Sequence, residues 1–82
     1  MFYTYILKSK IKDRFYIGHT SNLEQRLKLH NEGKTISTKA YTPLKIVYFE
    51  EFDKKSEAIK REYALKRIKN KNTILKIINK EI

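Results

Sequence analysis

The sequence predicts an α+β domain: a three-stranded antiparallel sheet flanked by helices, in the order β-β-α-β-α-α. Three observations carry this. Two aromatic and β-branched runs stand at the N-terminus with only a Lys-rich turn between them, which is the pattern of an antiparallel hairpin. A third such run, Leu44–Phe52, follows a polar loop and Pro43. The intervening and C-terminal segments space their apolar residues as helices do.

Taken in order, Phe2–Leu7 reads as the first strand, Ser9–Asp13 as the turn and Arg14–Thr20 as the second strand. A register setting Tyr5 opposite Tyr16 puts Tyr3 opposite Gly18 and Ile6 opposite Phe15. Tyr3, Tyr5, Tyr16 and Gly18 then share one face, and the glycine leaves open space among three phenols. Ser21-Asn22-Leu23-Glu24 has capping-box form and predicts a helix running to about Asn31, stopped at Gly33. Leu23 and Leu27 define the buried stripe of that helix. His30 falls between them in angle and Arg26 at their edge, so both face inward or toward a cleft. Each also has a plainer reading: Arg26 as a surface residue whose stem covers Leu23, His30 as a helix-terminal histidine favoured by the dipole. Gly33–Thr42 reads as a polar, basic loop. Leu44–Phe52 alternates Leu44, Ile46 and Tyr48 with Lys45, Val47 and Phe49, a third strand. The second helix is predicted from about Lys54 to Lys69, capped by Asp53 or Ser56, and a short last helix over Thr73–Lys80.

With 82 residues the chain makes one domain, 1–82, with no room for a cofactor layer and a substrate domain together. Cysteine is absent, which excludes disulfides, thiolate zinc sites and Cys nucleophiles. The start lacks the basic stretch and cleavage site of a signal peptide, and no apolar run approaches the roughly 18 residues of a membrane span. A cytoplasmic location and no membrane association are therefore expected. Nineteen Lys and Arg against nine Asp and Glu leave a net charge of +10. The cations spread along the whole chain, so the folded body itself is cationic and its expected partner is a polyanion. The bland alternative is solubility in a Lys-rich chain.

One side chain stands out on the second helix. Ala58, Ile59, Tyr63 and Leu65 define an apolar arc, and Glu62 projects into its middle. A carboxylate there needs compensation: a cation, a metal ion or a proton. An ion pair with Lys66, four residues on, would also satisfy it. His19 and His30 are the only histidines, which excludes a Cys/His metal cluster and leaves no credible Ser-His-Asp arrangement. One carboxylate, one arginine, one histidine and clustered phenols remain. These are parts for cleaving a phosphodiester: a ligand for a hard metal, an anion stabiliser and a proton acceptor.

These residues resemble the GIY-YIG nucleases, in particular the small single-domain bacterial branch described as excinuclease-subunit-like endonucleases. Tyr3-Thr4-Tyr5 stands in the place of the first triplet, with Tyr3 where the first glycine falls, and Tyr16-Ile17-Gly18 in the place of the second. Arg26 and His30 match the arginine and histidine of the following helix, and Glu62 matches the metal-binding glutamate of a later one. Larger members carry an asparagine near the domain's end; Asn70, Asn72 and Asn79 are present here without a motif that assigns one.

The resemblance implies a DNA endonuclease dependent on Mg²⁺ or Mn²⁺, in repair or recombination, with no organic cofactor and acting as a monomer. It implies Glu62 as the metal ligand, Arg26 as stabiliser of developing charge and Tyr5 or Tyr16 at the attacking water, Tyr5 being favoured as proton acceptor with Tyr16 positioning it and His30 the alternative proton carrier. A phenol needs its pKa lowered for such work, by Arg26 or the metal. Lys10, Lys12, Arg14, Lys34 and Lys39 are candidate phosphate contacts. The competing reading is a non-catalytic basic module that binds nucleic acid or recruits a repair assembly.

Overall fold

The computed structural model of the protein describes residues 1–68 and 70–79. Its elements are β1 (Phe2–Ser9), β2 (Phe15–Thr20), α1 (Leu23–Asn31), β3 (Leu44–Phe52), α2 (Lys55–Lys66) and α3 (Lys71–Ile78). A single 3₁₀ turn covers Lys39–Tyr41. The order is the one expected from the sequence. The sheet is antiparallel in the order β2-β1-β3, so the first strand is central and the Tyr-Ile-Gly strand lies at an edge.

The hairpin register differs from the expected one. Tyr5 pairs with Gly18, Ile6 with Ile17 and Leu7 with Tyr16. The cause is the turn: β1 runs on through Ser9, whose hydroxyl accepts from the N–H groups of Ile11 and Lys12 and donates to the Tyr41 carbonyl at 2.6 Å. The slip is two residues, which preserves the faces. Tyr3, Tyr5, Tyr16 and Gly18 do share one side, now with Gly18 directly beside Tyr5.

β3 has the expected bounds but not the expected alternation. Leu7 pairs with Ile46 while Ile6 pairs with Tyr48, so Val47 is an extra residue, a bulge. Beyond it the strand's faces exchange. Leu44 and Ile46 pack with Tyr5, Leu7, Leu23 and Leu27 beneath α1, whereas Val47 and Tyr48 join Ile6, Leu65 and Ile74 on the side of α2 and α3. The sheet is thus covered on both faces, each with its own apolar cluster.

The helix caps correct three expectations. Asn22, not Ser21, caps α1, accepting from the Gln25 N–H at 3.0 Å. Neither Asp53 nor Ser56 caps α2; the chain enters at Lys54, whose N–H donates to the Glu57 carboxylate at 3.3 Å. α3 begins at Lys71 because Asn70 caps it through the Asn72 N–H, so the asparagine read as a break is a start. Gly33 ends α1 as expected, at φ +75°, with N–H bonds from Gly33 to His30 and from Lys34 to Leu29. Tyr63 is exposed rather than part of the buried arc of α2, which is Ala58, Glu62 and Leu65. α2 stops at Lys66 and α3 at Ile78, short of the expected Lys69 and Lys80, which themselves lie outside the described residues.

Candidate active site

The site grows from the pairing of Tyr5 with Gly18. A Cβ at position 18 would stand 2.6 Å from the Tyr5 hydroxyl oxygen and 2.9 Å from its ring, so only glycine lets the phenol lie across the strand. Tyr5 is buried there, and two side chains of α1 meet its hydroxyl. Arg26 Nε donates to it at 3.4 Å, and His30 Nε2 lies 3.3 Å away. The Tyr16 ring stands edge-on to the His30 ring, 5.0 Å between centroids. On the far side of that ring Nδ1 is 2.7 Å from the Thr38 hydroxyl, and both His30 and Thr38 are buried. The spacing of Arg26 and His30, one helical turn, is what lands both on a single oxygen. Tyr5, Tyr16, Arg26 and His30 therefore form one cluster.

Glu62 reaches the same strand from the opposite side. Thr4, on the other face of β1, donates to the Ala58 carbonyl at 2.7 Å and so ties α2 to that face. His19 is paired with Thr4 and projects to the same side, where its Nδ1 stands 2.5 Å from Glu62 Oε1. Lys66 binds Oε2 at 2.6 Å. The expected i+4 ion pair is thus present, and a histidine that the sequence reading left without a role is added to it. Glu62 itself is 8% exposed. It does not touch Tyr5, but its charge contributes to raising the Tyr5 pKa, so the two lie within electrostatic reach across the edge at Gly18.

The protonation states follow from burial and neighbours. Burial pushes the Glu62 carboxyl up, but the hydrogen bonds from Lys66 and His19 outweigh it and hold the group below its ordinary range, ionised. Burial, with the Arg26 charge, lowers the His30 pKa, so that imidazole is neutral near neutral pH. Tyr5 departs from expectation. Arg26 does act to lower its pKa, but burial is the larger effect and Tyr5 ends above its ordinary value. Tyr5 is a neutral phenol in need of a partner for its proton.

The five basic residues expected at phosphates are all exposed. They come from two segments that touch. Lys12 and Arg14 sit over the Tyr41 ring at 5.5 and 5.3 Å, and the Lys10 N–H donates to the Pro43 carbonyl. Lys34 pairs with Glu32 at 3.5 Å, and the Lys39 stem packs beside Gly33. Arg14 also borders a cleft of about 230 Å³ shared with Tyr16, Thr38 and Tyr41, which joins this basic rim to the tyrosine cluster.

A tyrosine-bearing hairpin with its glycine at the sheet edge, and an arginine helix laid over it, is the architecture of one class of protein. Residues 1–75 match the family model of the GIY-YIG catalytic domain, and the chain belongs to that family, a nuclease superfamily. Within it the chain is similar to the UPF0213 proteins. A UPF0213 protein of Clostridium perfringens is 43% identical over 83 residues, covering 100% of this chain and 88% of its own. The UPF0213 protein YazA of Bacillus subtilis is 36% identical, covering 93% of this chain and 77% of its own. The solution NMR structure of a UPF0213 protein from Bacillus halodurans superposes with a TM-score of 0.56 at 30% identity, over 94% of this chain and 83% of that one. Nucleases of this superfamily generally use divalent metals and act on DNA.

Proposed function

We propose that this protein is a divalent-cation-dependent endonuclease that hydrolyses DNA phosphodiesters, with Tyr5, Arg26, His30 and Glu62 as its reacting groups and Tyr16 beside them. The observation that carries the proposal is the convergence of Arg26 and His30 on the buried Tyr5 hydroxyl, with an ionised carboxylate across the same strand edge.

The donor chemistry of Glu62 fits a hard cation. The carboxylate is ionised and largely buried, and each oxygen keeps a lone pair beyond its present bond. Among the described residues no group of three or more His, Asp or Glu could hold a metal, so the fitting site is one carboxylate with water completing the shell, as Mg²⁺ or Mn²⁺ accepts. When bound, such an ion supplies charge stabilisation for the phosphate and the leaving oxygen. The remaining steps belong to the chain. As water attacks phosphorus, Tyr5 takes the water's proton while passing its own to His30 Nε2, and the leaving oxygen departs with the P–O electron pair and takes its proton from solvent. Arg26 stays on the Tyr5 oxygen and stabilises the negative charge that develops beside it. Lys10, Lys12, Arg14, Lys34 and Lys39 hold the flanking phosphates. A nuclease of this kind fits a place in DNA repair or recombination, and a cytoplasmic monomer is proposed with it.

One observation favours the second reading, a binding module without chemistry: Glu62 Oε2 already has Lys66 at 2.6 Å, an ordinary i,i+4 ion pair. Substitution of Tyr5 by Phe separates the two. The nuclease reading expects cleavage of plasmid and branched DNA to fall by about 10²-fold or more with binding retained. Wild type without cleavage under Mg²⁺ or Mn²⁺ would favour the binding module.

A further inference from the structure

Every polar hydrogen around the buried His30 ring must find an acceptor, and that requirement chooses between its two neutral tautomers. Tyr5 is 1% exposed, and its hydroxyl has two partners among the described residues. Arg26 only donates, so the Tyr5 hydrogen has a single acceptor available, His30 Nε2. Nε2 is then unprotonated, and the ring's hydrogen sits on Nδ1, pointing at Thr38 Oγ1 at 2.7 Å. Thr38 can accept it because its own hydroxyl has another outlet, the Thr35 carbonyl at 3.4 Å. In the opposite tautomer the Tyr5 hydrogen faces an N–H and the Thr35 carbonyl loses the hydroxyl bond. A buried unpaired donor costs about 1–3 kcal/mol, which decides the matter against that form.

We infer that Thr38 is a positioning residue: its hydroxyl, anchored on the Thr35 carbonyl, fixes His30 in the Nδ1–H tautomer and so turns the Nε2 lone pair onto the Tyr5 hydroxyl. The chain Tyr5, His30, Thr38, Thr35 C=O then has one direction, with the Tyr5, His30 and Thr38 hydrogens each aimed at the next member and the last at the Thr35 carbonyl. Proton transfer from Tyr5 to His30 gives an imidazolium whose two N–H groups both retain acceptors, Tyr5 oxygen and Thr38 oxygen. Beyond His30 no further proton has to move. Thr38 lies in the loop before the 3₁₀ turn, eight residues after His30, and touches neither phosphate chemistry nor Glu62 in this arrangement. Its kinetic consequence rests on the nuclease reading; the tautomer itself is a property of the free protein.

The experiment reads the tautomer directly, from the ¹⁵N and ¹H signals of the His30 ring in the full chain without metal or DNA. The wild type is expected in the Nδ1–H form. Thr38→Val keeps the shape and removes the acceptor, and is expected to mix or invert the tautomers and to lower kcat by about 10²-fold with KM unchanged. Thr38→Ser, which restores the hydroxyl, is expected to recover the tautomer and the larger part of the rate. An Nε2–H wild-type ring overturns the inference even if Thr38→Val fails to fold, as does a folded Thr38→Val that keeps the wild-type tautomer. A wild type in the Nδ1–H form that loses it in Thr38→Val, but cleaves no DNA, upholds Thr38's role and overturns the nuclease reading alone.

Discussion

At the residue scale the charge states of His30 and Glu62 set a pH dependence. Burial and the nearby Arg26 lower the His30 pKa in the folded chain, so the unfolded chain binds more protons there as pH falls. Stability is therefore lost from the unfolded value of about 6.5 downward, until pH passes the lower folded value. Glu62 acts in the same direction further down. Its lowered pKa contributes stability above the ordinary carboxyl range, which is lost as pH falls through the folded value. The groups facing His30 are Tyr5, Tyr16, Arg26 and Thr38; the Tyr5 and Arg26 pKa values are both raised, so neither changes charge in that window. Thermal unfolding is expected to show a midpoint that falls between about pH 7.5 and pH 5.5, and His30→Gln should flatten that segment of the curve. An unchanged slope in the variant would mean that His30 is not buried neutral. Much of this site was legible in the sequence. Glu62 was conspicuous because a carboxylate interrupts the Ala58 and Leu65 stripe, and Arg26 and His30 because they flank Leu23 and Leu27. His19 was legible in principle, since strand alternation turns it away from Gly18's face toward α2. Thr38 was not, because a threonine in a polar loop carries no periodicity, and its role exists only once the loop folds back over α1.

Among the elements, strand order and the bounds of β3 followed from aromatic and β-branched runs, whereas β1 runs two residues past the expected Leu7 and β2 starts one residue after the expected Arg14. Register and caps did not follow from such runs. The hairpin slipped by two residues because the Ser9 hydroxyl organises the turn, and the β3 bulge at Val47 leaves no mark in a strand that is apolar on both faces. Ser21 and Asn22 are both good caps by residue type, and the structure selects Asn22, whose side chain accepts from the Gln25 N–H. This selection is measurable. Asn22→Ala is expected to destabilise the fold by about 1 kcal/mol, and Ser21→Ala by no more than a few tenths. Urea unfolding of the two variants checks it; equal losses would return the cap to Ser21. A further element contact was invisible beforehand. The Asn31 side chain accepts from the Leu44 N–H at 2.6 Å and donates to the Leu44 carbonyl at 3.1 Å, clamping the end of α1 to the start of β3. It holds the arginine helix over the tyrosine face.

For the whole molecule the governing quantities are the +10 charge and the separation of two functions on one small body. In the proposed function the tyrosine cluster and Glu62 carry the chemistry, and the rim of Lys10, Lys12, Arg14, Lys34 and Lys39 is the surface proposed to hold the strand. If about four phosphates are neutralised, log K for duplex DNA should fall with log salt at a slope of about −4. Removing Lys12 and Arg14 together should shrink that slope by about 2 and leave the fold intact, since both are exposed. A slope near zero would assign the charge to solubility. The central claim, that this fold cleaves DNA through Glu62, is tested most directly by plasmid nicking with wild type and Glu62→Ala at equal folded concentration, in Mg²⁺, in Mn²⁺ and with chelator. The variant leaves His19 and Lys66 partly exposed and solvated, so the core and DNA affinity should hold. Wild type is expected to nick DNA only with metal, and Glu62→Ala not at all. Nicking by Glu62→Ala at the wild-type rate would contradict the account.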